Sequence, residues 1–263
     1  GGLQYANNDV SNDFEVKDDV AGQWIVNPLL TNVFEFTQAV LGVYGMAAYE
    51  SDTWGAQLGL RTENTKINTL LVNTKESNDQ NFTNLFPSFN TSYKFSTNFS
   101  LQAGYSKRIY RPRLWELNPF FNIRNSYNSR KGNPNLKSEY SDSYEISAIF
   151  LKGITSLNMS LYQLYTTNTI ESVTTFEDNI SISGPENLGA KRVNGIELNG
   201  KISPSKKITF NGDFNFNTFD RKASWQDRSF DFKGNSWSSE ITSKFKFPKD
   251  LDMEMSWNYE SGF

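Results

Sequence analysis

The chain has 263 residues, with 26 Lys and Arg against 29 Asp and Glu, and it contains no His and no Cys. Those zeros exclude disulfides, thiol nucleophiles, thiolate metal sites, Ser-His-Asp triads and His-ligated metals, so no cofactor or metal and no enzymatic activity is expected. The pI near 5.2 speaks against a nucleic-acid partner, which calls for a basic domain or stripe.

Hydrophobic residues make up 37% of the chain and mean hydropathy is -0.58, yet 15% of residues are aromatic. No apolar run approaches the ~18 residues of a membrane-spanning helix, so a membrane role has to use strands. The opening GGLQYANNDV lacks the basic and apolar regions of a secretory signal and reads as the end of a strand.

Taken in chain order, period-two alternation predicts eleven strands, near 2–10, 34–50, 54–69, 83–96, 98–109, 139–152, 154–172, 187–203, 206–221, 230–247 and 251–263. In the third, Trp54, Ala56, Leu58 and Leu60 alternate with Gln57, Arg61 and Glu63. In the fifth, Phe99, Leu101, Ala103 and Tyr105 alternate with Ser100, Gln102, Ser106 and Arg108. Ile208, Phe210, Phe214 and Phe216 oppose Thr209, Asn211, Asp213, Asn215 and Asn217. From Leu251 to Glu260 the two faces separate without exception. Tight turns near 51–52, 96–97, 153, 203–205 and 248–250 are interleaved with polar loops expected at 11–33, 70–82, 110–138, 173–186 and 222–229.

Short and long connections therefore lie at opposite ends of one meander, an asymmetry of outer-membrane barrels. The soluble alternative, a sandwich or lipocalin-like barrel, would turn its apolar faces to a shared core. Many of these strands match or exceed the 9–11 residues that cross a bilayer at a tilt. Aromatics gather near strand ends, Trp54 and Phe99 by the short turns and Trp257 and Tyr259 towards the other side, as in interfacial girdles. The expected fold is all-β, an antiparallel transmembrane meander forming part of a large outer-membrane barrel, with lipid on the apolar face and water on the other. Eleven strands cannot close an antiparallel barrel of even count, so further strands are expected on both sides. Phe263 invites a second reading as a terminal aromatic assembly signal.

The segments YSKRIYRPRLWELNPF (Tyr105 to Phe120), GNPNLKSEYSDSYE (Gly132 to Glu145) and NLGAKRVNGIELNG (Asn187 to Gly200) together resemble the barrel region of TonB-dependent outer-membrane receptors. They are most similar to the branch described as the outer-membrane protein beta-barrel family. The resemblance implies a barrel of ~22 strands plugged by an N-terminal domain, with residues 1–263 an internal part of it and the plug and remaining strands lying elsewhere. It also implies an inner-membrane TonB complex acting through that plug, an extracellular solute and, as a further partner, a surface lipoprotein lid. A non-transporting surface-binding or envelope-assembly barrel is the alternative.

Two sets of residues are candidates for function. Charges are costly against lipid, by ~2–4 kcal/mol for Arg or Lys at the midplane, so Arg61, Glu63, Arg108, Glu145, Glu197, Asp213, Glu240, Lys244, Asp252 and Glu254 are expected to line a lumen. There they contact a plug or solute, or simply pair across a hydrated wall. The second set lies in the central loop: Tyr110, Arg111, Arg113, Trp115, Phe120, Phe121, Arg124 and Tyr127. Aromatic faces stack on sugar rings or cofactor-like ligands and Arg forks bind carboxylate or phosphate; alternatively these side chains pack the loop onto the barrel rim. The acidic stretch Asp9 to Asp19 lacks EF-hand spacing, and the pair Asp252 and Glu254 has no acid-base partner.

Overall fold

The computed structural model describes the whole chain except Leu29, Phe121, Ser126, Asp178, Asp227, Asp250 and Phe263, and except the side chains of residues 122–125. β1 (Gly2–Phe14) is followed by a small hairpin, β2 (Lys17–Val20) and β3 (Gln23–Val26), and then by β4 (Asn32–Glu50), β5 (Trp54–Leu71), β6 (Glu76–Ser96) and β7 (Phe99–Tyr110). A one-turn helix, α1 (Leu114–Leu117), and two short strands, β8 (Asn122–Asn125) and β9 (Asn128–Arg130), precede β10 (Glu139–Lys152) and β11 (Thr155–Thr167). A second hairpin, β12 (Ile170–Glu177) and β13 (Ile180–Asn187), leads to β14 (Ala190–Ser205), β15 (Ile208–Trp225), β16 (Arg228–Phe247) and β17 (Leu251–Glu260).

Eleven of these strands form one antiparallel sheet in the order β1-β4-β5-β6-β7-β10-β11-β14-β15-β16-β17, with β1 and β17 as its edges. The order is sequential once the inserted short elements are set aside, and the eleven strands correspond one to one with the eleven expected.

Residues directly opposite each other in a ladder share a face of the sheet, so the register sorts every strand. One face carries Trp54, Leu58 and Leu60 beside Tyr93, Phe89 and Pro87, and it continues through Leu101 and Ala148 to Leu157, Gly200 and Gly212. Its large apolar side chains are exposed, Leu58 at 60% and Ile146 at 58%, so no other part of the described chain covers them. Aromatic rings mark its margin by the short turns: Trp54 and Tyr93 lie 6.0 Å apart, Tyr93 and Phe95 4.7 Å, and Phe95 and Phe99 5.6 Å. At the other margin Tyr105 meets Tyr144 at 5.0 Å and Trp237 stacks on Tyr259 at 4.4 Å. From Phe99 to Tyr105, or from Phe210 to Phe216, the band extends ~20 Å along the strand, close to the ~25 Å apolar belt of outer-membrane barrels. No helix among the described residues is long and apolar enough to cross a membrane; crossing falls to the strands.

This facing predicts an asymmetry between adjacent residues. Leu58→Arg should destabilise the full-length protein in lipid vesicles by about 2–4 kcal/mol, whereas Gln57→Arg, pointing the other way, should stay within ~0.5 kcal/mol. Equal shifts in urea unfolding would contradict the facing.

Two expected loops are not loops. β5 runs on to Leu71 and β6 starts at Glu76, which leaves a short turn where 70–82 was expected to be irregular; β15 and β16 similarly reduce 222–229 to a turn at Trp225–Arg228. Beyond the apolar band the outer face of these strands turns polar, as with Thr62, Asn64 and Lys66 on β5, so the outward apolar signal is lost although the ladder continues. The remaining long connections, 11–33, 110–138 and 173–186, hold short strands as well as irregular chain. The asymmetry between the two ends thus resides partly in strand length.

Past the band the faces also exchange character. On the inner face, opposite to the exposed apolar one, β4 and β5 place Phe34 against Leu71 and Gln38 against Ile67. Phe34, Phe36, Ile67, Leu71, Leu117 and Leu136 form the buried hydrophobic cluster. The core of this segment therefore lies between the wall and the central loop, at the end away from the short turns.

Candidate functional site

All ten charged residues expected on the wet wall fall on the inner face. Glu63 is opposite Gly42 and Asn84, Arg108 opposite Ser141, Glu145 opposite Gly104, Glu197 opposite Ser160 and Asn215, Asp213 opposite Glu240, Lys244 opposite Glu254, and Asp252 opposite Lys246. Carboxylates predominate towards β17, although both signs occur on both sides, with Glu63 beside Arg61 on β5 and Lys244 on β16. Arg61 and Arg108 sit on the β5 to β7 side, while Glu197, Asp213, Glu240 and Glu260 surround a concavity of about 590 Å³ near β17. Several carboxylates are satisfied locally: Ser147 donates to Glu145 at 2.7 Å, Asn199 to Glu197 at 2.6 Å, and Lys244 pairs with Glu254 at 2.9 Å.

The central loop folds over this face and is fastened to it. Arg111 is the main anchor, because the Pro after it ends the β7 ladder and turns its side chain back onto the wall. Its guanidinium pairs with Glu63 and donates to Thr65 Oγ1 at 2.9 and 3.1 Å. Glu63 also accepts from Arg61, whose second nitrogen donates to Gln4 at 3.0 Å. One carboxylate thus holds two guanidiniums in a site where Glu63 and Thr65 are buried. Gly42 makes room for it, since a Cβ there would sit 2.9 Å from Arg61 Cζ.

The next residues continue the fastening. Glu116 accepts from the Arg113 backbone N–H at 2.7 Å, as an acidic third helical residue does, and from Tyr110 Oη at 2.9 Å. Gly132 donates to Asn118 O at 2.8 Å and Asn133 donates to Glu116 O at 2.7 Å. A Cβ on Gly132 would lie 2.7 Å from Glu116 O, so this chain crossing requires glycine. Gln80 donates to the carbonyls of Pro134 and Leu136 at 3.2 Å each.

Asn187 then joins two segments that sequence reading could only place side by side. It accepts from the Lys137 N–H at 2.8 Å and donates to Lys137 O at 2.9 Å and Asn168 O at 2.8 Å. The Gly132 to Glu145 and Asn187 to Gly200 segments meet here. Parallel pairing of β13 with β9 ties the hairpin to the same loop.

The eight loop candidates separate accordingly. Tyr110, Arg111 and Arg113 are engaged in the scaffold, with the Arg113 guanidinium 5.8 Å from the Tyr110 ring centre. Phe120 packs against the buried cluster and lies 6.2 Å from Phe14. Trp115 is 49% exposed beneath the Arg130 guanidinium at 5.1 Å, and Tyr127 is 70% exposed. Phe121 and the side chain of Arg124 lie outside the described residues, as does Phe263. Sequence reading missed the anchoring Thr65, Gln80 and Asn187, and a concavity of about 720 Å³ bordered by Glu76, Lys131, Val173, Ile182, Glu186 and Trp225. Asn187 opens one of the quoted motifs, which was its available signal.

This arrangement can bind and guide; among the described residues no cluster of three or more potential metal ligands occurs. A family model described as the outer membrane protein beta-barrel family matches residues 1–263. No curated protein matches the chain. Among solved structures, the Serratia marcescens hemophore receptor HasR, in complex with its hemophore HasA and heme, superposes with a TM-score of 0.66 at 13% identity, covering 99% of this chain and 52% of that one. The siderophore receptor PirA from Pseudomonas aeruginosa gives 0.51 at 13% identity, covering 97% of this chain and 60% of that one. The FrpB iron transporter from Neisseria meningitidis gives 0.52 at 14% identity, with 85% and 41% covered. The chain thus spans about half the length of the structures it resembles, and at these identities the likeness is one of fold.

Proposed function

Because the chain belongs to the outer membrane protein beta-barrel family, we propose that it forms part of the wall and outer binding surface of a TonB-dependent uptake receptor. The observation that carries this reading is the central loop docked on the inner face through Arg111 and Glu63. A loop fastened inside the wall narrows one end of the barrel while leaving Trp115, Tyr127 and the 720 Å³ concavity accessible to a solute. The polar inner face then offers a hydrated path. Strands outside these 263 residues would pair with the open edges of β1 and β17, which are otherwise liable to adventitious pairing. A plug in the remaining sequence would occupy the lumen and pass force from the inner-membrane TonB complex. We assign the chain no catalytic step.

The test is uptake by cells with and without the gene. Labelled ferric siderophores, heme and oligosaccharides are supplied as probes, and accumulation of one class should depend on both this gene and the TonB complex. Accumulation that is gene-dependent but persists without the complex would overturn energised transport, and no gene-dependent accumulation of any probe would overturn the uptake reading.

A further inference from the structure

The apolar face is not uniformly filled. Gly200 on β14 and Gly212 on β15 are directly opposite in the register, so two adjacent side chains are missing from the membrane-facing surface. Leu157, Met159, Leu198, Ile202, Phe210 and Ile241 surround the gap, and together they border a groove of about 540 Å³ on the exposed apolar face. A surface that only has to be greasy needs no such groove.

The same hairpin supplies a charged end to it. The chain between the two glycines contains Lys201, Lys206 and Lys207 and no carboxylate. Lys201 faces inward with Asn211, whereas Lys206 and Lys207 form the tight turn itself, exposed beyond the apolar band. Among the described residues neither joins an ion pair. Lys152, at the end of β10 and separated from β14 by β11, adds a third cation at the same margin.

We propose that this groove holds an acyl chain of an anionic glycerophospholipid whose phosphate headgroup is bound by Lys206 and Lys207. Short turns of outer-membrane barrels face the periplasm, which places the headgroup in the inner leaflet and so selects a glycerophospholipid over the lipid A of the outer leaflet. Basic residues at a membrane surface attract anionic headgroups additively, so two lysines favour phosphatidylglycerol over phosphatidylethanolamine by on the order of tenfold. The site depends on the lipid-facing assignment of the strands and is independent of which solute, if any, is transported.

Native mass spectrometry of the full-length protein, exchanged into nanodiscs of mixed phosphatidylglycerol and phosphatidylethanolamine, tests it. The unmodified protein should retain phosphatidylglycerol with that preference. Gly212→Leu should lose the retained lipid by filling the groove; a Cβ there has room, its nearest neighbours being Glu240 O at 3.7 Å and Ile241 Cγ1 at 3.9 Å. The turn variant Lys206→Gln with Lys207→Gln should keep a bound lipid but lose the preference. Heat-modifiable gel migration checks that each variant is folded. Retention of phosphatidylglycerol by folded Gly212→Leu, or equal retention of the two lipids by the unmodified protein, would sink the proposal.

Discussion

Glu63→Ala is expected to release the central loop from the wall, at about 3–5 kcal/mol of docking free energy, the usual penalty for removing one partner of a buried ion pair. Glu63 accepts from both Arg61 and Arg111, and its removal leaves two cations facing each other with no intervening anion. Arg111→Ala should be milder, because the carboxylate keeps Arg61 as its partner and only Thr65 loses a donor. Trypsin cleavage at Arg130 and Lys131 provides the readout, since both lie within the docked segment, between the buried Leu117 and Leu136. Cleavage in folded, full-length protein should accelerate more in Glu63→Ala than in Arg111→Ala. The reverse order would mean that the Arg111 bonds to Thr65 hold the loop more strongly than the Glu63 carboxylate does.

Leu117→Ala is expected to weaken the same docking by about 2–5 kcal/mol through the cavity it leaves. Leu117 and Leu136 are both fully buried, and they meet Phe34, Phe36, Ile67 and Leu71 from the wall. The cluster is small, so its other side chains cannot close over a missing isobutyl group without moving strand backbone. Trp115→Ala, two residues earlier and half exposed, serves as the contrast, read at Lys131 because Trp115 itself touches Arg130: it should leave cleavage at Lys131 unchanged and alter ligand capture. If both variants loosen the loop equally, the buried cluster is not what holds it.

Both predictions concern the part of the molecule least legible in the sequence. Strand number and alternation were readable because a membrane imposes a sharp contrast between faces, as Trp54, Leu58 and Leu60 against Gln57 and Arg61 illustrate. Above the band the same strand places Thr62, Asn64 and Lys66 outward and Ile67 and Leu71 inward. Period two persists there, but the environments have exchanged, and alternation alone does not say which face is wet. Arg111 stood out as an available charge because its partner lies 48 positions away. Hairpins such as β2 and β3, with Lys17, Asp18 and Asp19, show little apolar contrast. The parallel pairing of β13 with β9 joins segments about fifty residues apart and leaves no local trace at all.

That pairing, together with Asn187, has a mechanical consequence. The segment from Arg111 to Ser138 and the hairpin from Ile170 to Asn187 share a four-stranded sheet, and Asn187 rivets the base of one to the base of the other. Two excursions of the chain therefore act as one truss with footings in β7, β10, β11 and β14. A load applied by a ligand to the hairpin tip is distributed over four strands of the wall, so the two excursions are expected to tilt as a unit.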